Sequence, residues 1–178
     1  WNSITWSWNA CVREFPAWPQ ILIDRVSRKE TYILGWNAFH PSYQADCEAY
    51  LFRLANIDLS ADDGPLRAAR PATIETRRYQ LRVTASALAH SGIDPKTIRS
   101  IADLVTPEAH EKILRFFLER HEGKTSPQVA QLAGLLRDLA KHWVKLEGSD
   151  FEKIRRIASK LAMPRQGMTK KNRERLSA

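Results

Sequence analysis

Two short stretches of this sequence gather hydroxyl, amide and cationic side chains at what read as helix starts. They are Thr73-Ile-Glu-Thr76-Arg-Arg78 and Lys124-Thr125-Ser126-Pro-Gln128. Backbone N–H groups at a helix N-terminus attract anions, and these side chains donate hydrogen bonds to phosphate oxygens. The chemistry they support is the holding of a polyanion, although a solvated helix face has the same composition. Groups that other chemistries need are missing. Cys11 and Cys47 lie 36 positions apart, and no HxxxH or CxxC occurs. His40, His90, His110, His121 and His142 are scattered, so the spacing predicts no metal site. No GxGxxG or GxxxxGK[ST] offers a nucleotide-phosphate loop, and no GxSxG offers a nucleophile. The carboxylate pairs Glu119–Glu122 and Asp62–Asp63 read as solvated surface charge. The sequence therefore predicts no catalytic constellation and no cofactor.

Charge points the same way. The chain has 178 residues, with 28 Lys+Arg against 20 Asp+Glu and a formal net charge of +8. Residues 1–89 hold 10 basic and 9 acidic side chains, and residues 90–140 hold 7 and 7. Residues 141–178 hold 11 and 4, so the surplus is C-terminal. Such a segment is the electrostatic footprint of a polyanion partner, nucleic acid ahead of an anionic membrane, or else a solvated tail. A hydrophobic share of 43% suffices for a packed core. With only 2 cysteines a disulfide framework is excluded, and a reducing compartment fits better. No apolar run approaches the roughly 18 residues of a membrane span. The chain opens on Trp1 rather than Met, and is expected to be a piece of a longer protein.

The elements that position these groups are helices. Asp94-Pro95, Thr106-Pro107 and Ser126-Pro127 each set an N-cap residue before a proline at the first helical position. Gly92, Gly123 and Gly148 each follow an apolar periodic segment, as helix-ending glycines do. The spacing predicts a helix from Pro41 or Ser42 to about Asn56, with Tyr43, Cys47, Tyr50, Leu51 and Leu54 recurring. A second helix runs from an N-cap at Thr73 to about Ser91, with Ile74, Leu81, Ala85 and Leu88 in one stripe. A short helical turn spans Pro95 to Leu104, and a third long helix spans Pro107 to about His121. A fourth spans Pro127 to about Glu147, its apolar arc running from Val129 to Trp143, with Arg137, Lys141 and Lys145 on another face. A last helix, Asp150 to about Ala162, carries Lys153, Arg155, Arg156 and Lys160 before a basic linker. Residues 1–36 hold five of the six tryptophans. They read as a short helix, Ser3 to Glu14, and two short strands, Ile21–Ile23 and Tyr32–Leu34. This extension is expected to pack on the body, with a base-stacking surface as the other reading.

In order, the segments from Phe39 to about Lys145 resemble the core-binding domain of the tyrosine recombinase (phage integrase) family. The residues that carry the likeness are Thr73-Ile-Glu-Thr-Arg-Arg-Tyr79, Ile101-Ala-Asp-Leu-Val-Thr106-Pro, and Lys124-Thr-Ser-Pro-Gln-Val129 followed by Leu132 to Leu139. The resemblance implies an all-α, SAM-like bundle of four to five helices. It divides the chain into an extension (1–36), a core-binding domain (37–148) and a basic helix with a linker (149–178).

In that family the core-binding and catalytic domains clamp duplex DNA, and family members assemble as further copies on it. The catalytic half uses H-x-x-R and a late tyrosine. Here no histidine is followed by arginine three positions on, and no tyrosine follows Tyr79, so the catalytic half lies outside these residues. The DNA-contact roles implied fall on Thr73, Arg77, Arg78 and Arg82, then on Lys124, Ser126, Gln128, Lys141 and Lys145, and last on Arg155, Arg156 and Lys160. The expectation is a DNA-gripping fragment without chemistry of its own. It would be cytoplasmic, nucleoid-associated, bacterial or phage-encoded, and would use no membrane and no small-molecule substrate. The rival is a stand-alone helical regulator or protein-interaction module with a basic tail.

Overall fold

Proline sets where most of the helices begin. The computed structural model describes residues 2–23, 31–57 and 67–163. It contains α1 (Asn2–Glu14), α2 (Pro41–Ala55), α3 (Pro71–His90), α4 (Pro107–Arg120), α5 (Pro127–His142) and α6 (Gly148–Lys160). α2, α3, α4 and α5 each open on proline, whose missing N–H would lack a partner there. Thr106 and Ser126 cap α4 and α5 by accepting from Ala109 N–H at 3.2 Å and Val129 N–H at 3.3 Å. The described residues are all-α, with no strand among them. Nor is any described helix long and apolar enough to cross a membrane.

Chain contacts divide the protein into two units, Trp1–Thr31 and Tyr32–Ala178. In the first, the chain after α1 folds back along it. Trp8 Nε1 donates to Ile21 O at 2.7 Å, and the Asn9 amide both donates to Ile23 O and accepts from Ile23 N–H, each at 2.9 Å. These bonds explain why Ile21–Ile23 is not the expected strand: side chains of α1 take the Ile21 and Ile23 carbonyls and the Ile23 N–H, and the Ile21 N–H turns back to Pro19 O at 2.8 Å. Trp18 meets Trp8 edge-on at 5.3 Å.

The second unit is built around α3. Every residue from Val83 to Leu88 is buried, so this half of α3 is surrounded rather than faced on one side. α2 and α4 pack on it, α5 and α6 pack on α4, and α6 packs on α5. The buried hydroxyls on α3 turn back to their own helix: Thr84 donates to Leu81 O at 2.9 Å and Ser86 to Arg82 O at 2.7 Å. The Tyr43 hydroxyl donates to Leu81 O at 2.8 Å and ties α2 to the same turn.

Several boundaries differ from the sequence reading. The Tyr32–Leu34 stretch is not a strand: Leu34 N–H donates to Ser86 Oγ at 3.0 Å, and the Tyr32 carbonyl accepts from His90 Nε2 at 2.8 Å. Trp36 belongs with this unit, its ring 6.0 Å from Tyr43. Thr73 is not the N-cap of α3, because Pro71 takes the first helical position and Arg70 the cap. The turn after α3 is two 3-10 turns, Pro95–Thr97 and Ile101–Leu104. α5 ends at His142, short of the expected Glu147. Lys145 then turns left-handed at φ 59°, and Gly148, at φ 66°, opens α6 rather than ending α5.

Candidate nucleic-acid interface

Helical geometry separates the cationic residues that the sequence places side by side. Neighbours on a helix point about 100° apart. Thr73, Thr76, Arg77 and Gln80 lie on one face of α3, spaced i, i+3, i+4 and i+7. Gln131, Gly134, Leu135 and Asp138 repeat that spacing on α5. The two faces line one groove of about 460 Å³. Arg77 is half-buried there and donates to Gln80 Oε1 at 3.0 Å. Thr76 donates to Ala72 O at 2.8 Å, and Thr73 is exposed. Asp138 is held by Arg137, which donates from Nε at 3.1 Å and Nη2 at 2.7 Å. Tyr50 of α2 feels both charges. Burial raises its pKa most, Arg77 lowers it, and Asp138 raises it.

Arg78 faces away from this groove. It grips Glu48 of α2 with two nitrogens, Nε at 3.0 Å and Nη2 at 2.7 Å, and pairs with Glu75 as well. The hydrogen bond from Arg78 holds the Glu48 carboxyl below the usual range, against burial. This contribution is present at neutral pH and lost as pH falls through the lowered pKa. Arg78 is thus a tie between α2 and α3. Arg78→Ala is expected to lower stability by about 1 kcal/mol, less at high salt. Lys141→Ala should stay within about 0.5 kcal/mol. Urea titrations at low and high salt check both, and equal losses would count against this difference.

The other candidates scatter. Arg82 is half-buried, and its Nε has no hydrogen-bond partner among the described residues. Lys124 is exposed, 3.8 Å from Glu122. Ser126 is spent on capping α5, and Gln128 sits near Tyr32, whose pKa burial raises most and Gln128 helps to lower. Lys141 is exposed, seven residues beyond Gly134 and so on the same side of α5. Lys145 lies past the end of α5, in the left-handed turn, and does not continue that face. On α6, Ile154 and Ala158 are buried against the bundle, and Lys153, Arg155, Arg156 and Lys160 are exposed. Arg155 pairs with Glu152 at 2.6 Å and Lys153 with Asp150 at 3.2 Å. Among the described residues Arg156, Lys160 and Lys141 have no ion-pair partner. The expected linker, 164–178, lies outside the described residues.

The sequence reading missed Gln80, Gln131, Gly134 and Asp138. A glycine in mid-helix was the available signal. Among the described residues no group of three or more His, Cys, Asp or Glu is placed to hold a metal ion. No family model matches the chain, and no curated protein or solved structure matches it.

Proposed function

We propose that this chain is a DNA-binding helical module, of the kind that positions a tyrosine-type recombinase on its site, and that it grips duplex DNA without cutting it. One observation carries the reading. α3 and α5 present their polar faces to a shared groove, with hydroxyl, amide and guanidinium groups directed away from an apolar core. Lys141 extends the α5 face, and Arg156 and Lys160 on α6 add positive charge with no ion-pair partner among the described residues. Further copies of the same protein on DNA are the expected company.

Mobility shifts on duplex DNA across a salt series test it. The logarithm of affinity is expected to fall linearly with the logarithm of salt, by about 0.9 for each phosphate neutralised. Absence of binding at low salt by folded protein would sink the proposal. Exposed Ile4, Trp6, Phe15, Ile21 and Leu22 in the first unit favour a second reading, a protein-interaction module. That reading expects concentration-dependent association, unaffected by DNA, in sedimentation.

A further inference from the structure

Gly134 stands in the middle of α5, where glycine is the least favourable residue after proline. Two internal reasons can put a glycine in a helix: a positive φ, or a neighbouring group pressed against its Cα. Neither applies. Positive φ among the described glycines is confined to Gly92, Gly123 and Gly148. A Cβ built on Gly134 meets nothing within 4 Å. The space it leaves belongs to the groove that Arg77 and Gln131 also line. The groove is lined by one cation, Arg77, and one carboxylate, Asp138. Asp138 is taken by Arg137, whereas among the described residues Arg77 donates to a neutral amide, Gln80.

We propose that Gly134 keeps the α3–α5 groove open for a phosphodiester of the bound strand, which enters between the helices and meets the Arg77 guanidinium. The inference rests on the DNA-binding reading and specifies where one strand sits. Thr73 and Gln131, on opposite walls, supply donors to the flanking oxygens. A side chain at position 134 would occupy the space the strand needs. A planar guanidinium, oriented in advance by Gln80, suits a phosphate oxygen pair.

Gly134→Leu and Gly134→Ala test this beside Arg77→Gln, with affinity for a duplex measured over a salt series and thermal midpoints taken in parallel. Because an added Cβ meets nothing, Gly134→Ala should raise the midpoint. Gly134→Leu should bind about tenfold more weakly, and both it and Arg77→Gln should reduce the salt slope by about 1, the signature of one lost phosphate contact. A parent that binds while Gly134→Leu and Arg77→Gln bind with unchanged slope would overturn this inference and leave the DNA reading standing. A folded parent that does not bind overturns both. A free phosphate ion is the other source of the same chemistry. Inorganic phosphate should compete no better than chloride at matched ionic strength, and specific displacement of the duplex by phosphate would overturn the strand assignment.

Discussion

Replacing His110 with leucine is expected to remove about 3 kcal/mol of acid sensitivity from the folded protein. His110 is 0% exposed on α4, and among the described residues neither ring nitrogen has a hydrogen-bond partner. Burial pushes its pKa down from 6.5 to about 4. The ring is therefore neutral in the folded chain at pH 7. As pH drops below about 6.5 the unfolded chain takes a proton that the folded chain refuses until about pH 4. Stability is fully present above this window and drains away across it, since the unfolded state binds more protons there. His110→Leu keeps an apolar side chain in the site and has nothing to titrate. At pH 7 it should lie within about 1.5 kcal/mol of the parent, because shape changes while two unpartnered nitrogens disappear. Urea unfolding of both proteins at pH 7 and at pH 4.5 isolates the effect, because Glu48 titrates in each and cancels. Parallel losses in the two proteins would show that His110 is not the source.

The helix starts were legible because capping is local. Thr106, Ser126 and Asp94 need only their own next residues to accept a hydrogen bond, and each does so. The stripe Val129, Leu132, Leu136, Leu139 and Ala140 was legible because α5 buries one side. α3 hides its role for the opposite reason. Thr84 and Ser86 are polar residues outside the apolar stripe, yet both are fully buried, because α2, α4 and the Tyr32–Trp36 segment pack around this half of α3. Ile21-Leu22-Ile23 has the apolar, branched composition of a strand. Its neighbour is the Asn9 amide, and a single side chain cannot continue a ladder.

The site divides along the same line. Arg77 and Arg78 are consecutive, so the sequence offers them as one cluster. On α3 they part, one into the groove and one onto Glu48. No local pattern contains Glu48, which lies thirty residues earlier. Gln131, Gly134 and Asp138 form a face only once α3 is known to stand opposite. What gives the groove meaning is the pairing of two helices that are far apart in the chain.

Asp46→Ala is expected to cost about 3 kcal/mol, because one carboxylate serves two donors from distant parts of the chain. Its Oδ2 accepts from Ile101 N–H at 2.7 Å and its Oδ1 from Trp143 Nε1 at 3.1 Å. Ile101 is fully buried, so its N–H has little access to water once the carboxylate is gone. Each donor left unpartnered in such a place costs about 1–3 kcal/mol. Asp46→Asn separates the donors: the amide oxygen can accept from one, and its NH2 then opposes the other, so the loss should be about half that of alanine. Denaturant unfolding gives the totals, and hydrogen exchange at the Ile101 amide reports which donor was abandoned. A loss below about 1 kcal/mol for Asp46→Ala would mean that water replaces the carboxylate. The consequence reaches the groove. Trp143 stands edge-on to Tyr50 at 5.5 Å, and Tyr50 lies near enough to Arg77 and Asp138 to feel both. With Trp143 released, the end of α5 that carries Lys141 loses its anchor, so Asp46→Ala should weaken DNA binding without touching a residue of the groove.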